Sequence, residues 1–258
     1  MLRTHILLQI GRVAVVLACV LMGACASQSA RNDVAVQEVD PWEGFNRKMF
    51  DFNLKLDSWV LRPVAKGYDT VTPDPVQEGV GNFFSNIGEV PNVVNNVLQW
   101  KWKRAGLDTS RLLINSTFGV LGIFDVADAW GVKEGTGEDA GQTLGRWGIK
   151  QGPYLVLPVF GSTTLRDGLM RPVNIALDPV TYVSPTFDRA ALSVGRLIDL
   201  RAGLLSIDNL ASGDLYIFLR DAHLQRRKFL EADGKLEDEF EDDFGEGGFG
   251  DDSFDEDF

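Results

Sequence analysis

Apolar residues recur at three- and four-residue spacing through most of this chain, and almost nowhere do they alternate in twos. Trp42, Phe45, Met49, Phe52 and Leu56 form the first such series. Asp40-Pro41-Trp42-Glu43 ahead of it has the make-up of a helix start, with a capping Asp, Pro at the first helical position and Glu at the third. Asp74-Pro75-Val76-Gln77 repeats the arrangement, and Asp178-Pro179 is a weaker version. The pattern then predicts two shorter helical pieces within Val76–Trp100, broken near Gly88 and Pro91, and a further helix over Trp102–Phe118. Phe187–Leu205 places Ala191, Val194, Leu197 or Ile198, and Leu204 or Leu205 on one face. Asp214–Leu230 follows with Leu215, Phe218, Ala222 and Phe229. Tyr154–Phe160 is the one strand-like run, and Pro153 and Pro158 count against it. The expected fold class is all-α, in one domain.

Between these helices lies a segment of another character. From Gly119 to Phe160 the chain is at once glycine-rich and apolar, with Val120, Leu121, Ile123, Phe124, Trp130, Trp147 and Tyr154 among its residues. Loops are usually polar because their backbone must be solvated. A long apolar loop is expected to line something or to sit in something.

The first 24 residues read as a secretory signal: Arg3 and Arg12, then the apolar run Val13–Leu21, then Gly23-Ala24 before Cys25. The apolar run is too short to span a bilayer. LMGAC resembles a bacterial lipobox, which would make Cys25 the acylated first residue of the mature chain; Cys19 fits the pattern less well, and a plain signal peptide is the alternative. In that reading Ala26 at the next position implies delivery to the outer membrane. Only these two cysteines occur, so the mature body has no thiol for a disulfide, a metal site or a nucleophile. Ala26–Val39 is a small, polar linker. Net charge is -12, yet Glu231–Phe258 holds fourteen acidic residues against one lysine, so the body itself is close to neutral. That tail, with Phe240, Phe244, Phe249, Phe254 and Phe258 at regular intervals, is expected to be disordered. Its charge serves solubility, or it docks a basic partner. Nothing in the charge distribution recommends nucleic acid.

Catalytic motifs are scarce. The histidines are His5, in the signal, and His223, in the basic segment HLQRRK, where a surface position is expected. No metalloprotease, nucleophile-elbow, phosphate-loop or dinucleotide motif occurs. A triad using His223 would need a serine that no motif supplies. Gly247–Asp255 fits a calcium-binding nonapeptide, but a single copy supplies only half a site and is taken as chance. No metal or cofactor is expected, and no enzymatic activity.

Several blocks in fixed order carry a resemblance. DPWEGFNRKMFDFN (Asp40–Asn53), LRPVAKGY (Leu61–Tyr68), GNFFSNIGEVPNVVNNVLQ (Gly81–Gln99), LINSTFGVLGIFDVA (Leu113–Ala127) and TLGRWGIKQGPYLVLPVFGSTTLRDG (Thr143–Gly168) are similar to the MlaA/VacJ lipoproteins over about Asp40–Leu230. The resemblance implies a helical ring in the inner leaflet of the outer membrane, anchored by lipid on the periplasmic side. It also implies an amphipathic channel, an associated trimeric porin, and delivery of misplaced outer-leaflet phospholipid to a soluble periplasmic carrier. On this reading Gly119–Trp130 is a flexible channel-side loop, with Gly119, Leu121, Gly122, Phe124 and Trp130 as channel residues. Lys133, Arg146 and Lys150 are the candidates for meeting a head-group phosphate, each weighed against an ordinary solvated surface charge. Two rival readings remain, a lipid-modifying enzyme such as a phospholipase and a structural anchor for porins or peptidoglycan.

Overall fold

The computed structural model describes residues 40–208 and 213–235. The signal segment, Cys25, the linker up to Val39 and the tail beyond Lys235 lie outside them. Helix α1 (Glu43–Leu56) runs through a π-helical turn, Asp57–Leu61, directly into α2 (Arg62–Val71), with Pro63 in its first turn. Helix α3 (Asp74–Leu98) and α4 (Trp102–Thr117) form the most extensively packed pair. A short α5 (Val126–Ala129) and α6 (Ala140–Arg146) follow. An antiparallel hairpin of β1 (Tyr154–Leu157) and β2 (Gly161–Thr164) leads into α7 (Leu165–Leu177), then α8 (Thr186–Gly203) and α9 (Leu215–Glu231). The architecture is helical with one small sheet.

Four local expectations are corrected. Asp40 does not cap α1: its carboxylate accepts instead from the Asn46 amide at 2.7 Å and from the Tyr216 hydroxyl, and Trp42 stands at the cap position. Asp74 likewise opens α3 without a side-chain cap, behind Pro73. The predicted break at Gly88 and Pro91 is absent, and α3 runs unbroken for 25 residues. Proline removes one helical hydrogen bond. Against that loss, side chains on both sides of Pro91 are pinned from other elements: Glu89 by Arg111, Asn95 by Thr143 at 2.8 Å and Asn96 by Asp108 at 2.7 Å. On α9 the buried positions are Tyr216, Arg227 and Leu230, while Phe218 and Phe229 of the expected face are exposed.

The hairpin is the fourth. Pro153 and Pro158 flank β1 instead of interrupting it, so neither removes a ladder donor. The outer edge of β1 is paired by two amide side chains of α1, seven residues apart on one face. Asn46 donates to the Tyr154 carbonyl (3.1 Å) and accepts from the Val156 amide (2.9 Å). Asn53 donates to the Leu157 carbonyl (2.9 Å) and accepts from the Val159 amide (2.7 Å). An amide carries both a donor and an acceptor, so it can substitute for a neighbouring strand.

The distribution of polarity is inverted relative to an ordinary soluble domain. Among the described residues the interior holds Asn46, Glu89, Asn95, Asn96, Asp108 and Arg111, all at 2% exposure or less, and its buried apolar members are few. All six tryptophans are exposed, from 42% to 78%. Phe52, Phe118, Phe124, Phe160 and Phe187 join them at the surface. Isolated exposed apolar residues need no explanation, but this many large ones together with a polar interior do. No helix among the described residues is long and apolar enough to cross a membrane.

Candidate functional site

The segment after α4 is an ordered, tightly bonded turn. The Gly122 amide donates to Asn115 O at 2.8 Å, Leu121 to Ser116 O at 3.2 Å and Phe124 to Gly119 O at 3.0 Å. From α3, Asn82 and Asn86 reach the carbonyls of Ile123 and Leu121. Asn115 donates to Asp125, accepts from the Ala127 amide, and so fixes the start of α5. Val120 and Leu121 take left-handed backbone (φ 52° and 61°), which costs a non-glycine residue roughly 1 kcal/mol each. Their side chains stay exposed. Beneath the turn, Arg111 donates to Glu89 (3.0 Å), to Asp125 (2.8 Å) and to the Val132 carbonyl (2.5 Å). Burial pushes the Glu89 carboxyl up, against the hydrogen bonds of Asn92 and Arg111.

Two cavities open in the described body, one of them beside this turn. One, of about 380 Å³, lies between the start of α3 and the turn, with Asn82, Ile123, Phe124 and Ala129 on its walls. The other, of about 340 Å³, lies where α7 and α9 meet β2 and the start of α6, with Asp139, Phe160, Asp167, Arg171, His223 and Arg227 around it. Its charges are ordered. Asp139 caps α6 by accepting from the Gln142 amide at 2.8 Å and also accepts from Arg227. Burial works against its charge, yet Arg227 and Gln142 outweigh burial and hold the carboxyl below its ordinary range. Asp167 pairs with Arg227 and Arg166, each at 2.9 Å, and Arg166 pairs in turn with Glu231. Glu231 and Asp233, counted above with the acidic tail, thus belong to the folded body, Asp233 through Lys101.

His223 is half-buried, not a surface residue: burial and the neighbouring Arg227 push it down to about 4, and its Nε2 has no partner among the described residues. Ser162 lines the same cavity, but its hydroxyl is hydrogen-bonded to the Tyr154 hydroxyl at 2.7 Å. No nucleophile–base contact joins Ser162 to His223. Of the residues expected to line a channel, Phe124 faces the first cavity. Trp130 packs on Phe118 with ring centroids 5.2 Å apart, and Leu121 is exposed. Gly119 and Gly122 lie where the turn packs on Asn115 and Asn86. Lys133 pairs with Asp128 at 2.9 Å, and Arg146 and Lys150 are exposed; neither cavity contains these three. Sequence reasoning missed Arg171 and Arg227: Arg227 meets Asp139 and Asp167 only in the folded chain, and no motif marks Arg171.

A family model described as MlaA lipoprotein matches residues 38–230. The chain belongs to that family. It is 36% identical over 232 residues to the intermembrane phospholipid transport system lipoprotein MlaA of Shigella flexneri, covering 86% of this chain and 89% of the relative. An uncharacterized protein of Rickettsia felis is 40% identical over 197 residues, covering 74% and 78%. The fold is shared with a solved structure reported as the structural basis for maintenance of bacterial outer membrane lipid asymmetry. That match has a TM-score of 0.67 and 36% identity, covering 74% of this chain and 98% of the solved one.

Proposed function

We propose that this chain is an outer-membrane lipoprotein that removes phospholipid from the outer leaflet and hands it to a periplasmic carrier, so maintaining lipid asymmetry. Its Cys25 carries the lipid anchor on the periplasmic side, and a trimeric porin holds the body in place. The single observation that carries this reading is the inverted polarity: tryptophans and phenylalanines outside, a bonded polar interior within. An aromatic surface is stable against acyl chains and head groups, where Trp and Tyr accumulate at the interface. With no membrane-crossing helix among the described residues, such a body would be embedded in one leaflet. The two cavities, lined by polar and apolar side chains together, then offer a head group polar partners that acyl chains do not provide. The transport names of the Shigella flexneri and Escherichia coli relatives support the same reading.

A hydrolytic role has one specific observation in its favour, the grouping of Ser162, Asp167 and His223 around one cavity. The two functions separate in cells that lack the gene and receive variants, with outer-leaflet phospholipid as the readout. Wild type and His223→Ala are expected to restore asymmetry, and Phe124→Asp to fail. Failure of His223→Ala with an intact fold would favour the enzyme. Restoration by Phe124→Asp would favour a passive anchor.

A further inference from the structure

The cavity beside α7 and α9 contains one arginine whose contacts the conduit reading does not by itself explain. Three carboxylates face it, Asp139, Asp167 and Asp178. Each is matched: Asp139 and Asp167 by Arg227, Asp167 also by Arg166, and Asp178 by Arg196 at 2.9 Å and the Val180 amide at 2.9 Å. Arg227 is held by the same ion pairs, although its Nε, 2.9 Å from Asp167, makes no aligned hydrogen bond. Arg171 is different. Its Nη2 donates to the Phe160 carbonyl at 3.1 Å, and its guanidinium lies 4.9 Å from the centre of the Phe160 ring. Its Nε is buried and has no partner, and it makes no ion pair among the described residues. Arg171 as a whole is only partly buried, and the buried, unpartnered Nε–H is the donor that an anion would complete. Stacking on Phe160 keeps the planar fork oriented, the geometry that suits a phosphate.

We propose that Arg171 is the anchor for the phosphodiester of a glycerophospholipid in this cavity, with Phe160 and Ile175 against the glycerol and the first acyl carbons. The proposal rests on the conduit reading and adds the head-group contact to it. About 340 Å³ is at the small end of ligand sites, room for a head group but not for two acyl chains. The chains would leave along exposed Phe160 and Leu169.

The test titrates the full-length detergent-extracted protein with dioctanoyl-phosphatidylethanolamine, dioctanoylglycerol and inorganic phosphate. Wild type is expected to prefer the phospholipid over the diacylglycerol by on the order of tenfold to a hundredfold, the range of a charge-assisted hydrogen bond. Arg171→Gln abolishes that preference while leaving diacylglycerol affinity unchanged, and Arg171→Lys restores part of it. The Tm of Arg171→Gln stays close to that of wild type, because Arg171 is partly exposed and makes no ion pair among the described residues. The proposal is overturned if Arg171→Gln keeps the preference, or if its Tm falls and diacylglycerol binding is lost with it. Inorganic phosphate binding as tightly as the phospholipid would also overturn it, in favour of a free-anion site. Wild type that binds neither lipid would sink the conduit reading itself, a separate outcome from loss of Arg171 dependence.

Discussion

Arg111→Ala is expected to cost about 3–5 kcal/mol of stability, the largest effect of any single substitution in the α3–α4 pair. Arg111 ties Glu89 on α3 to Asp125 at the start of α5 and to the Val132 carbonyl beyond it. Glu89 is 2% exposed, so removing its partner leaves a carboxylate charged and buried. Denaturant unfolding in detergent measures the loss. The double substitution Glu89→Leu with Arg111→Met should recover a large part of it, because a buried pair replaced by apolar side chains of similar volume is often close to neutral. Recovery stays incomplete, since Asp125 and Val132 also lose a donor. Burial already raises the Glu89 carboxyl above its ordinary range. A group raised in the folded state binds its proton there first, so the deficit of Arg111→Ala should shrink as pH falls from neutral and grow as it rises. A deficit independent of pH would mean that Glu89 is not the group left stranded.

Gly119→Ala is the second. A Cβ at this position would lie 2.2 Å from the Phe124 carbonyl and 2.6 Å from the Asn115 carbonyl, both backbone atoms that no rotamer can move. The turn must open to admit it, at about 3 kcal/mol. The amides of Gly122 and Phe124, which donate to Asn115 and Gly119, should then exchange hydrogen much faster. Gly106→Ala, in α4 with open space around its Cβ position, is the control: there alanine should be neutral or stabilising by about 0.5–1 kcal/mol. The contrast separates two uses of glycine. If Gly119→Ala were as mild as Gly106→Ala, the turn would be loose and its glycine a matter of flexibility.

That contrast also marks what the sequence could and could not disclose. Helices with regular apolar spacing, such as Trp102–Thr117 and Thr186–Gly203, were legible because periodicity is a local property. The apolar character of Gly119–Trp130 was legible as an anomaly, but its glycines suggested motion where the fold uses close backbone contact. The hairpin was hidden because its stability comes from Asn46 and Asn53, more than 100 residues away in sequence. Pro91 misled because local rules price the lost hydrogen bond and cannot see the ties at Glu89, Asn95 and Asn96. The apolar spacing of α9 does not mark its buried face, since Tyr216 and Arg227 point inward while Phe218 and Phe229 are exposed. Lys133, Arg146 and Lys150 are exposed charges in the unusual segment, and neither cavity contains them. Arg171 and Arg227 lie on helices that look ordinary in sequence and meet only in the folded chain.

An inverted helical body that conducts phospholipid should also hold it. Native mass spectrometry of the full-length protein released from a minimum of detergent tests it most directly. The account predicts close to one phospholipid per chain in the wild type, and depletion in Phe124→Asp, which puts a charge on the wall of the cavity beside the turn. Wild type that emerges without phospholipid above the detergent background, while still folded by circular dichroism, would contradict it and leave the anchor reading in its place.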